Sequence, residues 1–330
     1  MKRLLCVLLC LLLPACALAD AGAWLPYWSV EDSVSEAAAL DGRLTPLVAF
    51  AALFDSDYHV LQPEGLPELL TQLKAKFGGA TPLYLSVVND MERPEGGYDN
   101  KTLEPIRAIF ADENAMDAHI DELLALCAET GVDGLEIDYE ALRTDTELWG
   151  QYAAFIGRLY ARAQEAGLGL RSVLSYDSAQ YAAFPEGPDY VIMCYNLYGY
   201  HSGPGPKADF AFLAQTFGIC SALPGTVRMA FATGGFDWVG DKVSAALTQL
   251  QAEALAQQQG AASARDEASG AVRFLYTDAN DLEHEVWYAD GSTLAGWYAA
   301  AVEAGYAHTD LFRLGGNNMG NLLDFLNGDL

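Results

Sequence analysis

Three acidic side chains alternate with apolar ones in the segment 134–140, where Glu136, Asp138 and Glu140 stand two residues apart. Successive side chains of a β-strand point to opposite faces, so a strand here would place all three carboxyl groups on one face. Burial and mutual repulsion of such carboxylates raise the pKa of at least one of them. A carboxyl group that stays protonated near neutral pH can donate to the oxygen of a leaving group. The pattern therefore predicts Glu140, at the strand end, as a general acid.

Two other structures would fit these residues. An antiparallel strand with one solvated face would hold its carboxylates in water and would need no catalytic role for them. A Ca²⁺ or Mg²⁺ site built from oxygen ligands is the second alternative, although the spacing is not that of a calcium-binding loop.

The surrounding elements favour a strand that is buried on both faces. Eight short apolar segments alternate with helical patterns along the chain, and most of them lack a polar face. The segments are Trp24–Ser29, Pro46–Leu53, Pro82–Val88, Gly134–Tyr139, Leu170–Ser175, Tyr190–Leu197, Arg228–Thr233 and Asp310–Leu314. This order predicts a (β/α)8 TIM barrel, in which active sites lie at the carboxyl ends of the strands, as Glu140 does. A doubly wound open sheet is the alternative, but no glycine-rich phosphate turn follows the first segment.

One region departs from this alternation. The Ala- and Gln-rich stretch Asp241–Ala262 predicts a helix, and a polar connector follows it. Ala271–Thr277 and His284–Ala289 then predict two strands joined by a turn. We therefore expect a small β-hairpin insertion between barrel strands seven and eight.

Charge and cysteine content exclude several classes of function. The formal net charge is −27, which disfavours nucleic acid and anionic membranes as partners. Outside the first twenty residues, the cysteines are Cys127, Cys194 and Cys220, an odd and scattered set that predicts no disulfide framework and no zinc site.

The first nineteen residues have the features of a signal peptide. Lys2 and Arg3 precede the apolar run Leu4–Leu13, and small residues at 17 and 19 suit a cleavage site before Asp20. We therefore expect a signal peptide over 1–19, a catalytic domain over 20–330, and a secreted protein. Residues 13–16 also resemble a loose lipobox, so lipidation of Cys16 and anchoring in the cell envelope is the alternative. No later segment is apolar over enough residues to predict a transmembrane span.

The acidic segment and several others resemble glycoside hydrolase family 18. The fourth-strand motif of that family, D-x-x-D-x-D-x-E, is matched by Asp133, Glu136, Asp138 and Glu140, with Glu136 in a place where Asp is usual. Further similarities lie at Tyr27 and Trp28, at Met193–Asn196, at Gly234–Trp238 and over Phe274–Gly315. The last of these is similar to the bacterial branch that contains spore-cortex and peptidoglycan N-acetylglucosaminidases.

The resemblance implies a retaining mechanism without a protein nucleophile. Glu140 would protonate the glycosidic oxygen while the 2-acetamido oxygen of the substrate attacks the anomeric carbon. Asp138 would hold the acetamido N–H, Glu136 would stand behind it, and Tyr195 would donate to the acetamido oxygen. The apolar faces that stack on sugars would come from Phe312, Trp28 and Trp238.

Three more residues, Asn196, Asn89 and Tyr176, are predicted substrate contacts. Asn196 and Phe312 stand where the family usually has Asp and Trp, and both are expected in the substrate site. Asn89 and Tyr176 follow the third and fifth strands, so they should face the mouth of the barrel. Capping of the next helix is the alternative for such residues.

The combined expectation is an exported glycoside hydrolase that uses no metal or organic cofactor and acts as a monomer on an N-acetylated polysaccharide. Peptidoglycan is the favoured substrate, with chitin and N-glycan cores as alternatives. A catalytically silent, sugar-binding barrel is the competing function, and such lectins typically lack the acid that Glu140 supplies. An envelope-tethered scaffold is a third interpretation, which only the lipobox favours.

Overall fold

A computed structural model of the protein describes residues 20–142, 145 and 147–330. The predicted signal peptide and Cys16 lie outside these residues. The strands are β1 Asp20–Pro26, β2 Leu47–Phe54, β3 Val60–Leu61, β4 Leu83–Glu92, β5 Tyr98–Asp99, β6 Gly134–Asp138, β7 Gly169–Ser175, β8 Asp189–Met193, β9 Val227–Ala232, β10 Gly234–Val239, β11 Lys242–Leu247, β12 Ala264–Arg265, β13 Val272–Thr277, β14 Glu283–Ala289 and β15 His308–Phe312. The α-helices are α1 Val30–Ala39, α2 Leu66–Phe77, α3 Glu104–Ile109, α4 Glu113–Thr130, α5 Leu148–Glu165, α6 Phe210–Cys220, α7 Gln249–Gln259, α8 Gly291–Glu303 and α9 Met319–Asn327.

Eight parallel strands close into a barrel. Their order is β1, β2, β4, β6, β7, β8, β9 and β15, and β15 pairs with β1 to complete the ring. Each of the eight apolar segments identified in the sequence overlaps one of these strands, so the prediction of a (β/α)8 barrel is confirmed. The antiparallel alternative for the acidic segment is wrong, because β6 pairs in parallel with both β4 and β7.

Side-chain alternation separates the barrel interior from the layer of helices. On β6, Leu135 and Ile137 belong to the main apolar core, whereas Glu136 and Asp138 are buried on the other face. A separate apolar cluster that includes Trp24, Val48 and Val191 comes from other barrel strands. The hydrophobic alternation of each strand thus fixes which residues face the barrel interior.

The region between the seventh and eighth barrel strands is larger than predicted. The hairpin of β13 and β14 is present, but it belongs to a five-stranded sheet in the order β11, β10, β14, β13, β12, with α7 packed against it. The predicted helix over Asp241–Ala262 is wrong at its start, because Lys242–Leu247 is a strand whose residues alternate in exposure while it pairs with β10. The helix begins only after Thr248, which closes a capping box with Gln251.

The helices in the described ranges include none with the length and apolar character needed to cross a bilayer. Cys127, Cys194 and Cys220 are buried free thiols.

Candidate active site

The three carboxyl groups of the acidic segment extend from the barrel interior to its mouth. Glu136 is fully buried, Asp138 is 6% exposed, and the side chain of Glu140, just past the end of β6, is 19% exposed. Burial raises the pKa of Asp138 well above its usual range, and the charges of Glu140 and Glu136 raise it further. Oδ1 of Asp138 is buried and has no hydrogen-bond partner among the described residues.

The backbone of Glu140 is held by the side chain of Asn89, a buried residue of β4. The Asn89 carboxamide accepts from Glu140 N–H at 2.7 Å and donates to Glu140 C=O at 3.0 Å. The next residue, Ala141, has a φ of +64°, a left-handed conformation that is uncommon for alanine. Such backbone conformations are found at functional sites where the surrounding structure holds them in place.

The carboxylate of Glu140 forms an ion pair with Lys101. The Lys101 Nζ atom lies 2.7 Å from Glu140 Oε2. Burial by itself would lower the pKa of Lys101, but the neighbouring Glu140 carboxylate more than compensates, so the pKa of this ammonium is raised above its ordinary value. The ion pair therefore places a stable cation beside the predicted acid.

Aromatic rings line the mouth opposite this ion pair. Tyr195 stacks on Phe312 with ring centroids 5.8 Å apart, and Phe312 meets the edge of Phe50 at 5.5 Å. Phe50 in turn contacts Trp28, whose side chain is 52% exposed. Burial, and then the charge of Asp138, raises the pKa of Tyr195 well above its usual range, so its hydroxyl remains a hydrogen-bond donor.

An open cleft of about 790 Å³ lies at this end of the barrel. Its lining residues are Lys101, Glu140, Ala141, Ser175, Tyr176, Met193, Tyr195, Asn196, Leu197, Gly199, Tyr200, His201, Phe212, Gln215 and Phe236. A neighbouring cavity of about 320 Å³ shares Asn196, Tyr200 and Phe236 with the cleft. It is also lined by Phe312, Lys207 and Arg313. Among the described residues that line the cleft, Glu140 is the single carboxylate. The volume of the cleft suits several sugar rings rather than one.

Comparison with known proteins finds relatives in sequence and in fold. No protein-family model matches the chain. The chain is 25% identical over 234 residues to the cortical fragment-lytic enzyme of Bacillus subtilis, an alignment that covers 63% of this chain and 52% of that protein. The chain thus spans about half the length of the curated relatives that it matches.

Solved structures extend the similarity over nearly the whole chain. The spore cortex-lytic enzyme SleL of Bacillus cereus matches with a TM-score of 0.77 and 20% identity, covering 94% of this chain and 74% of that one. A chitinase of Chromobacterium violaceum matches with a TM-score of 0.78 and 17% identity, covering 94% and 98%. A family 18 chitinase of Cycas revoluta, solved with (GlcNAc)3, matches at 0.69 and 16%, again covering 94% and 98%. The chain has the fold of glycoside hydrolase family 18.

Glu136, which stands where the family 18 motif usually has Asp, was predicted among the substrate-binding residues, behind Asp138, and it does not line the cleft. Its carboxylate accepts from Trp24 Nε1 at 2.6 Å and lies 2.9 Å from Nε of Arg171, with no exposed surface. Arg171 also pairs with Asp310 at 3.1 Å, which pairs with Arg228 at 2.6 Å. The longer side chain of Glu136 therefore joins a buried network of charges below Asp138 and does not reach the cleft.

Two more residues that were predicted to contact substrate, Trp238 and Asn89, are buried. Trp238 is 1% exposed and packs against Phe236 inside the inserted sheet, so its ring offers no face to a sugar. Asn89 is 1% exposed, and its carboxamide is occupied by the backbone of Glu140 and by the carbonyl of Thr102 at 2.9 Å. Hydrogen bonds thus satisfy the carboxamide of Asn89, whereas Trp238 is held by packing, since its Nε1 atom has no hydrogen-bond partner among the described residues.

The other predicted residues lie around the cleft at the mouth of the barrel. Tyr176, Tyr195 and Asn196 line the cleft, Phe312 lines the adjoining cavity, and Trp28 is exposed beside Phe50 at the rim. Their contacts with substrate stay predictions. Asn196 has a φ of +67°, a conformation that asparagine tolerates better than most residues.

Sequence reasoning missed several residues of the site. Lys101 and Phe50 gave no local signal, since each is an ordinary residue type outside any motif. Arg171 did give a sequence signal, because an arginine in the middle of a strand that is predicted to be buried requires a buried acidic partner. The described residues contain no group of three or more His, Cys, Asp or Glu side chains that could hold a metal ion.

Proposed function

We propose that the protein is a glycoside hydrolase that cleaves β-linked N-acetylglucosamine polymers, with peptidoglycan favoured over chitin. The observation that carries the proposal is the isolation of Glu140, the single carboxylate among the described cleft residues, with Asp138 buried on the same face of the strand. A retaining hydrolase with its own nucleophile would present two carboxyl groups to the substrate. One exposed carboxyl backed by a buried one supports participation of the substrate's acetamido group.

Three residues of the site then take part in the reaction: Glu140, Asp138 and Tyr195. Glu140 gives its proton to the glycosidic oxygen as the bond to the anomeric carbon breaks, and the acetamido oxygen forms a new bond to that carbon. Asp138 accepts the acetamido N–H and stabilises the cationic ring, while Tyr195 donates its hydroxyl to the acetamido oxygen. Glu140 next takes a proton from the water that opens the ring, which restores the acid and releases a sugar of retained configuration.

The favoured substrate follows from the relatives. Cortical fragment-lytic and spore cortex-lytic enzymes match this chain in sequence or fold, and the same branch is the one that the segment Phe274–Gly315 resembles. Chitinases match the fold equally well, so chitin is the alternative.

Glu140→Gln tests the acid directly, with Glu129→Gln on the outer face of α4 as the matched control. The amide keeps the shape of the side chain but has no proton to transfer, so turnover should fall by about 10²- to 10⁴-fold. Peptidoglycan and chitin oligomers would be digested and the products identified by mass.

A thiazoline analogue of N-acetylglucosamine should also inhibit the wild-type protein competitively. Equal turnover by Glu140→Gln and the control would refute the assignment, and failure of the thiazoline to inhibit would refute acetamido participation.

We also propose that the protein is exported, on the strength of the positive start, apolar run and small residues of positions 1–19. Fractionation of cells that express the full chain would locate it. A shortened protein beginning at Asp20 outside the cytoplasm is expected, whereas a lipid-modified Cys16 would indicate anchoring.

A further inference from the structure

Lys101 gives the cleft a cation at the point where bond cleavage is proposed. Its ammonium lies 2.7 Å from Glu140 Oε2, and about half of its side-chain surface is exposed. It is the one lysine or arginine among the described residues that line the main cleft. Arg313 and Lys207 line the adjoining cavity at the side of Phe312 instead.

The backbone that carries Lys101 is anchored to the end of β4. The Lys101 N–H donates to Asp90 Oδ1 at 2.8 Å, and the Thr102 N–H donates to Asn89 C=O at 3.0 Å. The Asn89 carboxamide binds both the carbonyl of Thr102 and the backbone of Glu140. Lys101 and Glu140 are therefore held in fixed relation by one buried side chain, although they lie 39 residues apart.

The charge of the protein makes this cation unusual. The chain has 45 acidic and 18 basic residues, so its average field repels anions. Asp90, Asp138 and Glu140 all act on Lys101 and keep it protonated. In a protein of this charge, a fixed ammonium beside the acid gives an anionic polymer a point of attachment.

We propose that Lys101 is a specificity-determining residue that binds the lactyl carboxylate of an N-acetylmuramic acid residue in the leaving-group position. This inference rests on the proposed function. Peptidoglycan strands alternate N-acetylglucosamine with N-acetylmuramic acid, so cleavage after the former leaves the latter as the departing sugar. Its lactyl ether is formed at O3, on the carbon C3. This carbon is next to C4, which bears O4, the oxygen that Glu140 protonates.

The exchange of partners couples recognition to catalysis. When the lactyl carboxylate enters, it takes the Lys101 ammonium as its partner, and the ion pair between Lys101 and Glu140 is broken. The carboxyl group of Glu140 can then turn to the glycosidic oxygen. Chitin has a neutral hydroxyl at O3, so it offers the ammonium no acceptor of comparable strength.

The test compares two tetrasaccharides of equal length: chitotetraose, and alternating N-acetylglucosamine and N-acetylmuramic acid with free lactyl carboxylates. The ratio of kcat/KM for the muramyl substrate to that for chitotetraose should fall about 10- to 100-fold in Lys101→Met, the range of one charge-assisted hydrogen bond. Lys101→Arg should recover most of the ratio. Lys76→Met, which removes one exposed charge from the end of α2, should leave the ratio unchanged. Methyl esterification of the lactyl groups should lower the wild-type ratio by a similar factor.

The outcomes separate this inference from the proposed function. Equal losses on both substrates in Lys101→Met would overturn the inference, since Lys101 would then act on Glu140 alone. If the wild-type protein hydrolysed neither substrate, the proposed function would fail. Calorimetric binding in the Glu140→Gln background would then still test Lys101: weaker binding of the muramyl substrate alone after Lys101→Met supports the inference, and equal affinity overturns it.

Discussion

Asn89 holds the backbone of Glu140 at both of its polar groups, accepting from its N–H at 2.7 Å and donating to its C=O at 3.0 Å. The two residues lie 51 positions apart, on neighbouring strands β4 and β6 or just past them. Because Asn89 is 1% exposed, no water replaces either bond. The proposed acid is thus positioned by a buried side chain that does not reach the cleft.

Asn89→Ala should therefore impair both stability and turnover. The change leaves the N–H and C=O of Glu140 and the C=O of Thr102 unpaired, which should lower the free energy of unfolding by about 2–4 kcal/mol. The value of kcat should fall more than KM changes, because the acid is displaced while the rest of the cleft remains. Urea unfolding and steady-state kinetics measure the two effects. Asn114→Ala, at the exposed start of α4, is the control, and an unchanged kcat in Asn89→Ala would contradict the positioning role.

Asp138→Asn should reduce activity while it stabilises the fold at neutral pH. The pKa of Asp138 is raised well above its ordinary value of 3.8 by burial and by Glu140 and Glu136. The folded state therefore binds more protons than the unfolded state above pH 3.8, so this residue's contribution to stability is lost as pH rises toward the folded-state pKa. Asparagine cannot ionise, and the fall in the free energy of unfolding with pH should be shallower in the variant. Denaturant titrations from pH 4 to 9 would show this, and parallel curves for both proteins would disprove it.

Glu136→Gln should be strongly destabilising because it removes one acidic partner of a buried arginine. Arg171 lies between Glu136 and Asp310, and its side chain is 1% exposed. Breaking one side of a buried ion pair costs about 3–5 kcal/mol, whereas removing both charges costs much less. The double variant Glu136→Gln with Arg171→Met should recover part of the lost stability in a double-mutant cycle. Additive losses would show that the two side chains are not coupled.

Trp28 and Trp238 should respond in opposite ways to removal. Trp28→Ala removes a ring that is 52% exposed at the rim, so KM for long oligomers should rise while the free energy of unfolding changes by less than about 1 kcal/mol. Trp238→Ala empties a buried site and should cost about 3–5 kcal/mol in stability. Binding of oligomers and thermal unfolding of both variants check the contrast. A rise in KM confined to Trp238→Ala would reverse the two assignments.

The sequence by itself determined the barrel and its acidic strand. Eight segments are apolar on both faces and are separated by helical patterns, and few folds other than a parallel barrel accommodate such a sequence. The alternation of side chains along the fourth segment then places Glu136, Asp138 and Glu140 on one face, toward the barrel interior. The inserted sheet was underestimated because Lys242–Leu247 is rich in alanine, and only its pairing with β10 makes it a strand.

Tertiary structure alone decided what surrounds Glu140. Lys101 and Asn89 meet it across 39 and 51 residues, through the register of β4 and β6, and no local pattern encodes such contacts. The same holds for Glu136. Alternation places its side chain inside the barrel, but only its contacts with Trp24 and Arg171 make it part of the buried charge network. Periodicity reports which face a side chain occupies, whereas its partner depends on how distant strands are aligned.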